Sequence, residues 1–483
     1  MLNIFKKYWY VFSLLLIILF GVFLRLKGLL INPSMWHDEC ALGWNIRFKN
    51  YSDFFGILRF MQMAPPFFMV ATKLTTKIFG LNDIVLRLLP FLAGIASLIA
   101  FYFLASTNLK FKFAVLCAVF FFAINQQLIN YSFEFKPYNI DVLFTIICLL
   151  FFINLNMQKI STKKTFFYGL LLAIVPWFSF VSVFTIAGGF LNLFFKHIKS
   201  DWRKKLLLAL PIMISGLIYL KIYLMNNYTG THMVNYWQNS FVNANPFFFL
   251  HLLVENMKYF FFPSQYALFM LILLIWGAVI FLREKSPFIN ISLTSFILLI
   301  VASFLHFYPF SSRLVLFLVP IFLLLILKPL DLISSAKRFR SFIIIALALF
   351  TFFPQIIQTA DFIRTKNISK GENPREMMEF LVKNLKEGDI IVVNNASNTE
   401  FEYYSSFYNI ENKIFRENLA NKPDASYLSL LDNFPKGHYW FYLPFDYSHT
   451  KVIPFILQWA KTKKILYSYK NNTSVLINVY IKD

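Results

Sequence analysis

Apolar runs of about 20 residues, separated by short charged loops, fill the chain from Tyr8 to Gln358. A run of that length crosses the ~30 Å hydrocarbon layer of a bilayer as a helix. The runs fall at 8–26, 84–105, 113–126, 138–155, 165–180, 181–195, 206–225, 263–282, 288–306, 314–330 and 341–358. They predict an α-helical polytopic membrane protein of about 11 transmembrane helices.

Basic residues orient these spans. Lys6-Lys7, Lys110 and Lys112, Lys159 with Lys163 and Lys164, the cluster 196–205, Arg283 with Lys285, and Lys337, Arg338 and Arg340 fall in alternate loops. The positive-inside bias puts those loops, and the N-terminus, in the cytoplasm. Because 165–195 has basic loops at both ends, it must cross an even number of times, as two short helices turning near Ser179–Ser182. The outer side then receives 27–83, 127–137, 226–262, 307–313 and everything after Asp361. Within the first outer loop, 65–79 is apolar but carries Lys73 and Lys77, and predicts an interfacial amphipathic helix.

After Asp361 the pattern changes period. Asn373-Pro374-Arg375-Glu376 is a helix start with Asn as N-cap and Pro at the first helical position, running to about Glu387 before Gly388. Residues 389–395, 438–443, 464–470 and 474–481 read as strands, the last two as a hairpin over Asn471-Asn472, and 453–461 as a helix. The division expected is a membrane domain over 1–360 and a small extracytoplasmic α/β domain over 361–483.

Composition agrees: 58% of residues are hydrophobic, 62 are Phe and only 14% are charged, against about 25% charged in soluble domains. The net charge of +22 lies largely in the short loops, so it follows from topology, not from nucleic-acid binding. Cys40, Cys117 and Cys148 have no metal-ligand spacing and imply no disulfide framework.

The residues with chemical potential cluster in the outer loops. His37-Asp38-Glu39 follows Trp36 in the first of them. A partly desolvated carboxylate beside a cation can act as a general base on a hydroxyl; a solvated acid pair is the plainer alternative. Arg25, Arg87, Lys136 and Arg313 all fall at the outer interface, where unpaired cations are costly. Arg87, Lys136 and Arg313 are candidates for holding a phosphate, whereas Arg25 is expected to snorkel to headgroups. Tyr131 and Glu134 flank Lys136 in support, with Glu134 able to pair it, and His37 can tune Asp38. No second His or Cys stands at ligand spacing for a metal, and no nucleotide-binding motif is present, so no metal or other cofactor is expected.

Ser34-Met35-Trp36-His37-Asp38-Glu39, Gln62-Met63-Ala64-Pro65-Pro66-Phe67, Phe79-Gly80 and Leu86-Arg87-Leu88-Leu89-Pro90 together resemble the first loop of bacterial members of the protein O-mannosyltransferase-like group. That group includes the aminoarabinose transferases and belongs to the GT-C glycosyltransferases. The resemblance implies a GT-C membrane fold and an inverting glycosyltransferase that uses a polyprenyl-phosphate sugar outside the cytoplasmic membrane. It implies Asp38 as the catalytic base with Glu39 supporting it, and Arg87, less directly Lys136 and Arg313, at the donor phosphate. The partners expected are that lipid-linked donor, membrane lipid, and a glycan, lipid or protein acceptor. The alternatives are a flippase or polymerase of lipid-linked sugars, though no inverted repeat marks a transporter, and a structural membrane subunit.

Overall fold

A computed structural model describes residues 2–196, 202–224, 234–261, 267–333, 352–366, 368, 372–394, 397–417, 431, 434–444, 452–471 and 474–481. Each apolar run found in the sequence holds a helix, from Leu2–Ile31 through Pro287–Phe304 and Val319–Ile333. Of the last run, 341–358, only 352–358 lies within the described residues, in a helix over 352–364. The predicted pair inside 165–195 forms as Thr162–Phe178 and Ser182–Lys196, broken near Ser179. Among the described residues, five helices are each long and apolar enough to cross a membrane, and Lys112–Ala123 with Gln126–Phe133, bent by 50°, makes a sixth. Tyr138–Asn154, Ser182–Phe195 and Ala267–Arg283 are shorter apolar helices. This is a multi-pass membrane protein.

The helices expose apolar residues such as Leu15, Leu19, Leu268, Ile272 and Ile275, and pack others into one continuous core. With lipid as apolar as the helix faces, close packing holds such helices together, and small residues permit it. Gly277 shows this: a Cβ there would lie 1.8 Å from the Leu325 carbonyl oxygen of helix Val319–Ile333.

Between the first two long helices, residues 32–87 form a folded cap. Helix His37–Phe48 leads, two 3₁₀ turns follow at Ser52–Phe55 and Arg59–Met61, and helix Pro66–Phe79 comes next. The last has the expected amphipathic character: Phe68, Met69 and Thr72 are buried while Leu74, Ile78 and Phe79 are exposed. The predicted span 84–105 begins later than expected. Asn82 caps a separate turn, Asp83–Leu86, by accepting a hydrogen bond from the Val85 amide, and the long helix starts at Leu88.

The C-terminal residues build a five-stranded mixed sheet. Its strands are β1 (Ile390–Asn394), β2 (Ile414–Glu417), β3 (Gly437–Leu443), β4 (Lys464–Asn471) and β5 (Ser474–Ile481), in the order β2-β1-β3-β5-β4. β1 runs parallel to β2 and β3, while β5 is antiparallel to β3 and β4. β4 and β5 pair as the expected hairpin up to Asn471 opposite Ser474; Asn472, at its tip, lies outside the described residues. Helix Pro374–Asn384 ends three residues before Glu387, with Leu385 already extended and Gly388 in the left-handed region at φ 86°. β2 and the helix Asn398–Ser405 were not foreseen.

This sheet unit shares a core with the cap. Met35, Leu42, Ile46 and Phe68 from one pack with Met377, Leu381, Phe401, Tyr403 and Trp440 from the other. Gly43 permits the contact, since a Cβ there would meet the Tyr403 ring at 2.7 Å. The polar groups at this interface are matched too. Arg375 pairs with Asp83 at 3.0 Å, the Tyr404 hydroxyl donates to Asp83 at 2.8 Å, and the Met35 amide donates to Tyr404 Oη at 3.0 Å.

Candidate active site

Helix His37–Phe48 begins with its acids in the first turn, where the exposed amides of a helix N-terminus favour negative charge. Successive residues on a helix point about 100° apart, so His37, Asp38 and Glu39 serve three different neighbours.

Glu39 points inward and is fully buried. It takes a two-pronged ion pair from Arg87, Nε to Oε1 at 2.8 Å and Nη2 to Oε2 at 2.9 Å, and accepts the Phe135 amide at 2.7 Å. Arg87 Nη1 donates to Pro33 O at 2.7 Å and Asn32 Oδ1 at 3.0 Å. Arg87 is also fully buried, so its guanidinium is enclosed and taken up by protein acceptors. Arg87 and Glu39 thus stand paired behind the loop and not among the open side chains of the site.

Asp38 faces the other way and keeps 18% of its side chain open. Arg313 Nη2 lies 3.0 Å from its Oδ2, Lys136 Nζ lies 3.5 Å from the same oxygen, and Gln62 Nε2 donates to Oδ1 at 3.4 Å. Lys136 is also held by Gln62 Oε1 at 2.9 Å. Burial raises the Asp38 carboxyl, but Lys136, Arg313 and His37 outweigh it and keep it below the usual carboxylate range. Asp38 is thus ionised at neutral pH. Burial likewise lowers Lys136, against the pull of Asp38.

Arg313 is aimed from behind. Ser312 sits at φ 41°, a strained conformation costing about 1–3 kcal/mol that neighbours must enforce. The buried Asn256 does so: its Oδ1 accepts the Ser312 amide at 2.6 Å and its Nδ2 donates to Phe310 O at 3.1 Å. Trp36 and Trp237 cover the guanidinium, with ring centroids 5.0 and 5.8 Å from Cζ. Lys136 lies 6.0 Å from the same Trp36 ring, so Trp36 lines both cations as an apolar wall.

His37 is gripped by the sheet unit. Its Nδ1 is 2.8 Å from Glu400 Oε1 and its amide donates to Glu372 Oε2 at 2.8 Å. Burial works against the charged ring, yet Glu400, Asp38 and Glu372 raise it to about 9, so it is an imidazolium at neutral pH. Glu372 is pushed up to about 8, by burial first and then by Glu400. Glu134 is buried behind Lys136, whose amide donates to the Glu134 carbonyl at 2.7 Å, while the Lys136 ammonium lies 3.5 Å from Asp38. The Tyr131 hydroxyl meets that of Tyr259 at 2.5 Å.

The fold thus brings Trp36, Asp38, Lys136 and Arg313 together and sets Glu39 and Arg87 behind them. Arg25 does not snorkel: it is fully buried in the first helix, with Nη1 donating to Gly21 O and Ala123 O, both at 3.0 Å. Gln62, Trp237, Asn256, Glu372 and Glu400 went unassigned in the sequence. Gln62 alone had a signal, its place just before Ala64-Pro65-Pro66; the others are ordinary polar or aromatic residues in distant segments. Among the described residues, no group of three or more His, Cys, Asp or Glu could hold a metal, and Cys40, Cys117 and Cys148 are free thiols.

What such a site offers chemically is an ionised, half-sheltered carboxylate beside two cations and an aromatic wall. The carboxylate can take a proton, and the cations can hold a polyanion.

Comparison with known proteins agrees with the resemblance. Residues 63–225 match the family described as dolichyl-phosphate-mannose-protein mannosyltransferase, a stretch that includes Arg87 and Lys136 but neither Asp38 nor Arg313. Curated proteins searched by sequence show no match. The fold is similar to that of ArnT from Cupriavidus metallidurans in its apo state, with TM-score 0.56, 11% identity and 98% of each chain covered. ArnT bound to undecaprenyl phosphate gives TM-score 0.55 at 11% identity, over 96% of this chain and 97% of that one. The archaeal oligosaccharyltransferase AglB from Archaeoglobus fulgidus, in complex with an inhibitory peptide and a dolichol-phosphate, gives TM-score 0.54 at 12% identity, over 98% of this chain and 74% of AglB. The chain thus shares its membrane fold with ArnT and AglB, and about a third of it is similar to the mannosyltransferase family.

Proposed function

We propose that this chain is an inverting glycosyltransferase that moves a sugar from a polyprenyl-phosphate donor to an acceptor hydroxyl on the outer side of the cytoplasmic membrane. The observation that carries the reading is Asp38, ionised and partly open, between Arg313 and Lys136. The matched family's description and the solved relatives support it, since each names a lipid phosphate: dolichyl-phosphate-mannose, undecaprenyl phosphate and dolichol-phosphate. The distribution of basic loops supports the outer placement. On this reading about eleven helices cross the membrane, and the sheet unit is an extracytoplasmic α/β domain that completes the site.

The donor phosphate docks against Arg313 and Lys136. These cations hold it bidentately and by point charge respectively, and in turning to the phosphate they loosen their hold on the Asp38 carboxylate. The acceptor oxygen forms its bond to the anomeric carbon from the face opposite the leaving group. Its proton passes to Asp38 while the bond from that carbon to the phosphate oxygen breaks, and the electron pair leaves with polyprenyl phosphate. Arg313 and Lys136 then face the charge that grows on the departing phosphate, where fixed cations act most strongly. Trp36 and Trp237 exclude water from the guanidinium.

The test uses purified protein in detergent, a labelled panel of polyprenyl-phosphate sugars and a membrane extract as acceptor. Wild type consumes one donor, and Asp38→Asn, at unchanged thermal stability, loses about 10²–10⁴-fold in rate, as removal of a general base does. Transfer at the wild-type rate by folded Asp38→Asn would sink the base assignment.

A further inference from the structure

Gln62 touches both Asp38 and the cation beside it. Its Oε1 accepts from Lys136 Nζ at 2.9 Å, and its Nε2 lies 3.4 Å from Asp38 Oδ1 and 3.4 Å from the Phe60 carbonyl oxygen. An ammonium only donates and an ionised carboxylate only accepts. The amide can therefore stand between them in one orientation, oxygen to Lys136 and nitrogen to Asp38. Of the two acceptors open to Nε2, the carboxylate is the stronger.

Strained backbone puts Gln62 there. The preceding residues, Phe60 at φ 61° and Met61 at φ 52°, both lie in the left-handed region without being glycine. Such a conformation persists where neighbours enforce it, and it gathers at functional sites. The buried Asn45 enforces it here: its Oδ1 accepts the Arg59 amide at 2.9 Å, and its Nδ2 donates to Arg59 O at 3.2 Å and Ala41 O at 2.7 Å. The Arg59 guanidinium lies 4.3 Å from the Trp44 ring centroid and pairs with Glu402 of the sheet unit at 2.9 Å. Helix His37–Phe48 carries Asn45 and Trp44 as well as Asp38, so Gln62 and Asp38 are fixed to one frame.

Asp38 uses its two oxygens differently. Oδ2 faces Arg313 and Lys136, whereas Oδ1 faces Gln62. On the transferase reading, both cations turn to the donor phosphate and uncover Oδ2. Lys136 has three N–H donors, so one can stay on Gln62 Oε1 while another goes to the phosphate. We propose that Gln62 is a positioning residue: it keeps a donor on Asp38 Oδ1, and so leaves Oδ2 as the atom that takes the acceptor proton. That proton leaves the acceptor oxygen as this oxygen bonds to the anomeric carbon, and the electron pair of the broken bond departs with the lipid phosphate. The inference rests on the transferase reading for the reaction, and on geometry alone for which oxygen is held.

A donor on Oδ1 also favours the ionised carboxylate, which gives a readout that needs no turnover. The other charged and titratable groups facing Asp38 are His37 on its own helix, Lys136 and Tyr138, Arg313, and Glu372 of the sheet unit; none of these is on the turn that carries Gln62. Infrared difference titration of the full chain in detergent, each protein against its Asp38→Asn counterpart, reads the Asp38 proton. Gln62→Met keeps the length of the side chain and removes the amide. Asp38 should then titrate about one unit higher than in wild type, the lower end for a hydrogen bond to a charged group. Gln62→Glu keeps an acceptor for Lys136 but sets a like charge beside Asp38, and should move it further up. In sugar transfer by Gln62→Met, the low-pH limb of kcat should move with the titration, with kcat at its optimum about tenfold lower and the donor KM nearly unchanged. An Asp38 that titrates at the same pH in wild type and Gln62→Met, at unchanged thermal stability, overturns the role of Gln62, as does a raised donor KM at unchanged kcat. Wild type that transfers no sugar from any lipid donor, with the titration shift intact, overturns the transferase reading and leaves the hold of Gln62 on Oδ1 standing.

Discussion

Asp38 and Arg313 are 275 positions apart in the chain, and Arg313 Nη2 donates to Asp38 Oδ2 at 3.0 Å. The pair joins the first loop to the turn before the helix Val319–Ile333, and both partners remain partly open, at 18% and 20%. An ion pair at that depth is neither a free surface contact nor a sealed core contact. Its partners can exchange one another for a ligand, and that gives the site its predictions.

Arg313→Ala removes the cation best placed for a phosphate. A hydrogen bond to a charged group contributes about 1.5–3 kcal/mol, so the KM for the lipid donor should rise about ten- to a hundredfold. Arg313→Lys should restore only part of this, because an ammonium lacks the planar fork. Steady-state kinetics against donor concentration provide the check; an unchanged donor KM in Arg313→Ala removes the residue from the phosphate site.

Arg87→Met should act differently. It strands Glu39 in a buried site, and breaking a buried pair on one side costs about 3–5 kcal/mol. The expected result is a large drop in thermal stability, with whatever fraction folds keeping the wild-type donor KM. A stable Arg87→Met protein with a raised donor KM would return Arg87 to the phosphate.

Stability should fall as pH rises from about 6.5, the ordinary value for His, to about 9. His37 is raised to about 9 in the fold against burial, chiefly by Glu400. Its contribution is therefore complete below its unfolded value and disappears as pH passes its folded one. Glu372, raised to about 8 by burial and Glu400, acts in the same direction: the unfolded carboxylate ionises first, so keeping it protonated in the fold is an increasing cost up to that pH. Melting temperatures across this window test the point, and Glu400→Gln should flatten the His37 part. A melting temperature that is level from pH 6.5 to 9 would contradict the buried cluster.

Removal of residues 361–483 should not leave an intact membrane half. It strips Glu400 and Glu372 from His37, Arg375 and Tyr404 from Asp83, and the Tyr403 ring from Gly43. Loss of monodisperse behaviour in detergent, or a sharply lowered melting temperature, is the expected outcome. A truncated protein as stable and as active as the full chain would show the shared core to be incidental.

Much of the fold was legible because a bilayer enforces a simple pattern. Among the described residues each apolar run holds a helix, and the strand Ser474–Ile481 stands where the sequence put it. The misses have local causes. Asn82 caps a short turn and so delays the second long helix to Leu88. β2 is four residues long, too short for alternation to register. At the site, Lys136 and Arg313 could be named because charge at the membrane edge is costly, and Asp38 because of the acid pair in the first loop and the resemblance it carries. The direction each side chain takes could not. Arg87 and Arg313 looked alike in the chain, and only the position of Glu39 behind the helix separates a locked guanidinium from an available one.

The shared core also sets an order of assembly. Helix His37–Phe48 leaves the ribosome early, but Glu372 and Glu400, which fasten its His37, are made more than three hundred residues later. β5 comes last of all, yet it lies between β3 and β4, and its Ser474 hydroxyl accepts the Asn373 amide beside Glu372. N-terminal segments of a long chain fold first during synthesis, so helix His37–Phe48 waits for its partners through nearly the whole of translation. A chain that stops short of β5 then never acquires the finished site.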